Sequence, residues 1–213
     1  MGTESGVATG GRPVMGRPRV TSRAVLERLA FDLFARQGFD ATTVDDIAAA
    51  AGIGRRTLFR YVASKNDLVW GDFEQHLGKL RRLLDASDPR APMTDALRRA
   101  VVEFNRFDPR EVPWHRQRME LILGVPTLQA DATLRFASWR AVVAGFVAKR
   151  TGIAPSAMVP RLAGHVLLGA SLTAHELWLE GGPDADLSAL LDTAIRRSGA
   201  GLAALLEGSA TAP

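Results

Sequence analysis

Helical periodicity runs through almost the whole chain and constrains its fold more than any other feature. From Thr21 onward, apolar residues recur at intervals of three and four, and no segment shows the two-residue alternation of a strand. The sequence therefore predicts an all-α protein. Capping residues, glycines and prolines divide the pattern into helices predicted at about residues 21–37, 43–51, 55–62, 64–84, 94–107, 114–124, 130–151, 157–180 and 186–206.

The composition excludes several classes of protein. The 213 residues include no cysteine, so disulfides, thiolate metal sites and cysteine nucleophiles are excluded. Only Lys65, Lys79 and Lys149 are lysines among the 27 basic residues, and the rest are arginines. Arginine presents a fork of donors that suits phosphates and guanine edges, so this bias is compatible with a nucleic-acid partner. A high-GC genome would produce the same bias.

The short helix predicted at residues 55–62 has two unlike faces. At 100° per residue, Leu58, Phe59 and Val62 fall within an arc of about 100° and form a narrow apolar seam. The opposite side is basic and bears hydroxyl groups, as expected of a helix that docks by its seam and enters the major groove of DNA. The residues of this outer side are Arg56, Thr57, Arg60 and Tyr61.

Groups suited to phosphate binding surround this helix. Thr43 and Lys65 lie at the starts of the two neighbouring helices, where free N–H groups and the helix dipole favour an anion. Arg17 and Arg19, near the end of a glycine-rich N-terminal arm, could neutralise further phosphates or reach a minor groove. Two interpretations fit these residues: a DNA-binding helix-turn-helix, or an ordinary helical corner with a solvated basic face.

An ordered series of motifs covers most of residues 21–68: Gly38-Phe39, Thr42-Thr43-Val44, Ile47-Ala48, Ala51-Gly52-Ile53, Thr57-Leu58-Phe59, and Ser64-Lys65 before Leu68. With this series the segment resembles the DNA-binding domain of the TetR family of transcriptional regulators. The resemblance implies that Lys65 and Phe59 contact the DNA backbone. It also implies that Arg55, Arg56 and Thr57 approach bases. The sequence departs from the family pattern at Gly54, where a capping Ser or Thr is usual, and at Phe59, which lacks the hydroxyl of the usual Tyr.

A narrower resemblance extends farther along the chain. Residues 54–77, residues 104–107 and residues 121–126 together are similar to the regulators of mycofactocin gene clusters, which are TetR-type proteins of actinobacteria. This similarity covers most of residues 16–180. It implies that a helical effector domain follows the DNA-binding domain.

The C-terminal region carries most of the aromatic residues, and these have two interpretations. Aromatic residues at helical spacing are typical of a packed core, whereas TetR-type proteins commonly enclose an effector cavity in this region. Arg106, Arg118, Arg135 and Arg140 lie near these apolar segments. One interpretation is that these arginines form a solvated face. The other is that they lie at the mouth of a cavity, where they would suit an anionic group on a long apolar molecule such as an acyl-CoA. The predicted effector-binding residues are Phe104, Phe107, Met119, Leu123, Phe136, Trp139, Val143, Phe146 and His175.

The last two predicted helices have the features of a helix–helix interface. Small residues along the first would permit close approach, and the second has a broad apolar side. The resemblance implies a four-helix interface between two copies of the chain, and packing within one chain alone is the alternative. Two recognition helices about one turn of DNA apart would then read a near-palindromic operator. The predicted dimer-interface residues are Gly164, Leu168, Ser171, Leu190, Ala194 and Leu202.

These observations predict the organisation and the function of the chain. Residues 1–20 are expected to be a disordered basic arm, residues 21–68 the helix-turn-helix domain, residues 69–207 the effector-binding and dimerisation domain, and residues 208–213 a flexible tail. We expect a cytoplasmic homodimer that represses transcription at a DNA operator and is released by a small, largely apolar effector, without a cofactor, a metal or membrane insertion. The sequence contains no catalytic motif, so we expect no enzyme. A helical protein-interaction or lipid-binding module is the alternative.

Overall fold

The computed structural model describes residues 21–208, and for residue 200 and residues 202–208 it describes the backbone alone. Within this range the chain folds into ten α-helices and contains no strand, which confirms the all-α prediction. None of these helices is both long and apolar enough to cross a bilayer. The helices are α1 (Arg23–Gln37), α2 (Val44–Ala50), α3 (Arg55–Leu58), α4 (Lys65–Trp70), α5 (Phe73–Asp85), α6 (Met93–Phe104), α7 (Val112–Gly124), α8 (Pro126–Thr151), α9 (Met158–Glu180) and α10 (Leu187–Gly208).

Reciprocal side-chain caps begin two helices of the N-terminal region, where the sequence predicts them. The Thr43 hydroxyl accepts a hydrogen bond from the Asp46 backbone N–H at 3.1 Å, and the Asp46 carboxylate accepts one from the Thr43 N–H at 2.8 Å. Ser64 and Asp67 form the same capping box at the start of α4. These bonds satisfy backbone donors that the first turn leaves free, and they determine where α2 and α4 begin.

Besides shifts of one to three residues at other helix ends, three helix boundaries differ substantially from the prediction. The helix predicted at residues 64–84 is broken at Gly71, whose φ of 61° and ψ of −153° are accessible almost only to glycine. The recognition helix is shorter than predicted, because α3 ends at Leu58 and residues 59–61 form a turn. Helix α8 begins at Pro126 instead of near residue 130, because proline fits the first helical turn, where its missing N–H is not needed.

Helix α4 joins the small N-terminal unit, α1–α3, to the C-terminal helices. It packs against α1 on one side and α7 on the other. In the C-terminal region α9 packs between α8 and α10, while α6 packs against α5 and α10. The apolar core is continuous from Leu26 in α1 to Ile195 in α10. The rings of Phe31 and Trp114, 4.3 Å apart, carry this core across the junction between α1 and α7.

Candidate DNA interface and ligand cavity

The seam and the outer face of α3 are separated in the structure as the sequence predicts, with one exception. Leu58 and Val62 are buried, whereas Arg56 and Arg60 are exposed. Phe59, which helical spacing places on the seam, is 41% exposed. The backbone at Phe59 is still helical, with a φ of −65° and its N–H bonded to the Arg55 carbonyl, so the ring is exposed because it lies at an edge of the seam that the neighbouring helices leave open. Phe59 therefore belongs to the surface that faces outward.

This outward surface combines arginine side chains with aromatic rings. Tyr61 is exposed beside Phe59, and the guanidinium of Arg55 lies 5.6 Å from the centre of the Phe59 ring. Arg55 also pairs with Asp45 at 3.1 Å, with 62% and 64% of the two side chains exposed. An ion pair so open to water contributes little stability. Arg55 can therefore exchange Asp45 for a phosphate at little cost.

Lys65 has a structural role that the sequence analysis did not predict. Its ammonium donates hydrogen bonds to the carbonyls of Phe39, at 2.7 Å, and Thr42, at 2.9 Å. It also lies 4.1 Å from the centre of the Phe39 ring, and burial lowers the pKa of Lys65. The side chain thus ties the start of α4 to the segment between α1 and α2. An ammonium group has three donors, so one remains for a phosphate.

The other residues predicted to contact DNA differ in how far they are exposed. The Thr43 hydroxyl is exposed and donates to the Asp46 carboxylate at 2.7 Å, as part of the capping box. Thr57 is half-buried in α3. Gly54 provides no side-chain cap for α3, as its lack of a side chain predicts. Arg17 and Arg19 lie outside the described residues.

A mostly apolar cavity of about 120 Å³ lies in the C-terminal region, between helices α4 to α9. An engineered cavity of about 150 Å³ in another protein binds benzene, so this cavity in its present shape has the size of a single ring. The residues that line it are Trp70, Phe73, His76, Phe104, Asn105, Phe107, His115, Arg118, Met119, Ile122, Phe136, Trp139, Leu168, Ser171, Leu172 and His175.

Six of the nine predicted effector-binding residues line this cavity, and three do not. Val143 and Phe146 lie one and two turns beyond Trp139 on α8, where the helix is buried in packed core. Leu123 is partly buried against the same core. Helical spacing places Val143 and Phe146 on the same side of α8 as Trp139, but the cavity does not extend along α8 beyond Trp139. The six that line it are Phe104, Phe107, Met119, Phe136, Trp139 and His175.

A buried pair of histidines forms the polar part of the cavity wall. The Nδ1 of His175 lies 2.8 Å from the carbonyl of Ser171, which can only accept, so this nitrogen carries the proton. The free Nε2 of His175 then accepts from the Nε2–H of His115 at 3.4 Å. His115 also stacks on Phe107, with ring centres 3.9 Å apart. Burial lowers the pKa of both histidines, and the pKa of His115 falls well below its ordinary value, so both rings are neutral near pH 7.

Acidification is expected to destabilise the protein through this pair. The unfolded chain binds protons near pH 6 that the folded histidines do not accept, because their pKa values are lowered. The stabilisation is complete above the ordinary histidine pKa of 6.5 and is lost as the pH falls, by up to about 1.4 kcal/mol per pH unit for each histidine. Urea unfolding from about pH 7.5 to 5.5 measures this loss, and His115→Phe should remove about half of it. A pH dependence of the free energy of unfolding that His115→Phe leaves unchanged would contradict the assignment.

Three of the predicted dimer-interface residues are enclosed by their own subunit. Leu168 and Ser171 line the cavity, and a Cβ on Gly164 would lie 2.9 Å from the Arg140 carbonyl oxygen of α8. Gly164 thus permits close packing of α9 against α8 within one subunit, where the sequence suggested a contact with a second copy. Leu190 and Ala194 are half-buried on α10, and Leu202 lies where the structure describes only the backbone.

The chain belongs to the TetR family of transcriptional regulators. Residues 28–69 match the family model for bacterial regulatory proteins of the tetR family, and residues 91–203 match the MftR C-terminal domain. The chain is 46% identical, over 188 residues, to the Mycobacterium tuberculosis protein named as the mycofactocin biosynthesis transcriptional regulator MftR. That alignment covers 88% of this chain and 94% of the relative. The resemblances stated from the motifs are thereby confirmed.

Solved structures show the same fold at low sequence identity. The SmeT–triclosan complex matches with a TM-score of 0.63 at 18% identity, over 84% of this chain and 90% of the other. FadR of Thermus thermophilus, a TetR family repressor in complex with lauroyl-CoA, matches with a TM-score of 0.54 at 24% identity, over 90% and 98%. At these identities the likeness establishes the fold alone.

Proposed function

We propose that the protein is a repressor that binds a near-palindromic operator as a homodimer and leaves it when an effector occupies the C-terminal cavity. One observation carries the proposal: α3 and the turn that follows it have a buried seam beneath an exposed face of arginines and rings. Such a face suits the major groove, where arginine forks read guanine edges and hydroxyl groups hold phosphates. Arg56, Arg60 and Tyr61 form its groove-facing part.

Substitutions at Arg56 and Lys65 test the assignment of roles at the DNA. Arg56→Ala should weaken binding to the operator by about 1–3 kcal/mol and relax the preference at one base position. Lys65→Ala should weaken operator and random DNA alike, because a phosphate contact carries no sequence information. Gel shifts across a range of salt, with DNA from upstream of the protein's own gene, measure both effects.

Arg197→Ala, at an exposed position on α10, is the control for charge. A thermal melt must accompany Lys65→Ala, because Lys65 also holds two backbone carbonyls. Equal losses on operator and random DNA for both variants would show that the roles are wrongly assigned. Absence of operator-specific binding by the wild-type protein at low salt would contradict the proposed function itself.

The exposed stripe of α9 supports antiparallel pairing with a second copy. Its N-terminal half is basic, at Arg161 and His165, and its C-terminal half is acidic, at Glu176 and Glu180. A two-fold axis at Gly169, where an added Cβ would meet open space, places each basic half against the partner's acidic half. Met158 and Leu177, 72% and 47% exposed, add apolar surface along the same stripe.

Charge reversal tests this register. Arg161→Glu should weaken the dimer at least about tenfold, because like charges then face each other twice across the two-fold axis. Adding Glu176→Arg to the same chain should restore much of the affinity, since the pair is reversed and not removed. Sedimentation at a series of protein concentrations measures both. Single and double variants that dimerise like the wild type would exclude this interface.

Helix α4 offers a route from the cavity to the DNA-binding unit. Trp70 at its end lines the cavity, and Lys65 at its start holds the segment between α1 and α2. Between them, the Asp67 carboxylate accepts from Arg135 of α8 at 2.7 Å. A ligand that displaces Trp70 would therefore move the element that supports the recognition helix, which changes the spacing of the two helices in a dimer.

For the effector we propose a small, largely apolar molecule with an anionic group, and a long-chain acyl-CoA is one candidate. The apolar wall suits such a molecule, and the lauroyl-CoA complex of T. thermophilus FadR provides a precedent on the same fold. A long acyl chain exceeds the 120 Å³ of the cavity, so binding would require the surrounding helices to separate. Calorimetry with a panel of acyl-CoA thioesters tests this, and no binding by folded protein would exclude the candidate.

A further inference from the structure

A single arginine interrupts the otherwise uncharged wall of the cavity. Among the described residues that line it, Arg118 is the only permanent charge, and no carboxylate joins it there. Its side chain is 15% exposed, and its Nε has no hydrogen-bond partner. In the sequence, Arg118 is only one of four arginines near apolar segments. Of the other three, Arg106 pairs with Glu103 and Arg135 with Asp67, and none lines the cavity.

The charge of Arg118 is only partly compensated. One nitrogen of its guanidinium lies 3.4 Å from the Glu27 carboxylate of α1, a long contact for an ion pair. Glu27 is engaged more closely by Arg23, at 3.0 Å. Two arginines thus share the Glu27 carboxylate, and the Glu111 carboxylate, which also attracts Arg118, is exposed to solvent. Positive charge is therefore left only partly compensated beside an apolar cavity. Burying an unpaired charge is costly, so an anion in the cavity would be bound favourably.

We propose that the cavity binds a compact apolar carboxylic acid, whose carboxylate pairs with Arg118 and replaces Glu27 as its partner. This inference rests on the proposed function and narrows its effector to an acid. A carboxylate accepts two parallel bonds from a guanidinium, and the unpartnered Nε of Arg118 can supply one of them. The neutral histidine pair and Asn105 contribute hydrogen-bonding groups but no competing charge.

The exchange of partners connects ligand binding to the DNA-binding unit. Glu27 lies on α1 and Arg118 on α7, so their contact joins the N-terminal unit to the cavity wall. Arg23 extends the link, because it donates to the carbonyls of Asp67, at 2.9 Å, and Gly71, at 2.7 Å. A ligand carboxylate that takes Arg118 from Glu27 removes the ion pair between α1 and α7 and leaves only the contacts around Phe31 to join them there. Helix α1 stays attached to α4 through Arg23.

A matched pair of probes tests the inference: phenylacetate and its neutral analogue of nearly equal size, phenylacetamide. Binding is followed by the methyl resonance of Met119, which lines the cavity, with that of the exposed Met158 as internal control. Wild-type protein should bind the acid at least about tenfold more tightly than the amide, as expected for a charge-assisted pair in a buried site. Arg118→Met should remove this preference, and Arg140→Met, outside the cavity, should keep it.

Glu27→Gln should strengthen binding of the acid, the opposite of the effect expected for Arg118→Met. It removes the carboxylate that competes for Arg118, so phenylacetate should bind several-fold more tightly while phenylacetamide binds as before. The same variant should bind the DNA upstream of the gene more weakly without any ligand, because the ion pair between α1 and α7 is already absent. Arg118→Lys keeps the charge without the fork, and it should retain a reduced preference for the acid even if Arg118→Met fails to fold.

Each possible outcome decides the inference. It is overturned if the wild type binds acid and amide equally, if neither moves the Met119 resonance at millimolar concentration, or if Arg118→Met keeps the preference. It is also overturned if lauroyl-CoA releases both the wild-type protein and Arg118→Met from DNA while phenylacetate releases neither. The proposed function stands in that case. Failure of the wild-type protein to bind operator DNA at low salt contradicts the proposed function, whatever the probes do.

Discussion

Phe31→Ala should lower the free energy of unfolding by about 3–5 kcal/mol. Phe31 is fully buried on α1, and its ring centre lies 5.8 Å from that of Phe34 and 4.3 Å from that of Trp114 on α7. Removing the ring would leave a void at the junction between the N-terminal unit and the C-terminal helices. Helices α1 and α7 cannot easily shift to fill this void, because the Gln117 side chain of α7 also donates a hydrogen bond to the Phe31 carbonyl of α1.

Phe59→Ala is the matched control, since it removes the same ring from a position that is 41% exposed. It should change stability by less than about 0.5 kcal/mol and still weaken DNA binding, because surface substitutions away from packed features cost little. Urea unfolding followed by circular dichroism gives both free energies. Similar losses for the two variants would contradict the packing described at the junction of α1 and α7.

Gly164→Leu should cost at least about 3 kcal/mol of stability, at the upper end of the usual penalty for overpacking. A Cβ at this position would lie 2.9 Å from the Arg140 carbonyl oxygen and 3.3 Å from the Arg140 Cα. Both atoms belong to the backbone of α8, so a rotamer change cannot relieve the clash. The two helices would have to separate, which disturbs the wall of the cavity as well as the core.

Gly145→Leu on α8 is the control, because an added Cβ there meets nothing within 4 Å. Replacing this helical glycine should stabilise the protein by about 0.5–1 kcal/mol, the usual gain in helix propensity. Thermal unfolding of the two variants at one protein concentration measures the difference. If Gly164→Leu is as stable as Gly145→Leu, α8 and α9 do not cross at the distance described here.

The helix-turn-helix could be predicted from the sequence in some detail, because local interactions determine most of it. The capping boxes of Thr43 and Ser64 join residues three apart, and a helix start requires little beyond such bonds. The buried seam at Leu58 and Val62 follows from helical spacing alone. The exposure of Phe59 does not follow from spacing, because tertiary packing decides which edge of the seam the neighbouring helices cover.

The cavity depended on the tertiary structure. The members of its buried histidine pair, His115 and His175, are sixty residues apart, and the partner of Arg118 lies on α1, ninety-one residues away. Spacing along one helix predicts which residues share a side of that helix. It does not predict which other helix packs against that side or where the packing leaves a void. Val143 was therefore expected in the cavity and lies in the core, while Ser171 was expected at a dimer surface and lies in the cavity. Periodicity and capping residues thus determined an all-α chain with its recognition helix. The packing of α4 to α9 decided which side chains line the cavity, because the lining depends on contacts between residues far apart in the chain.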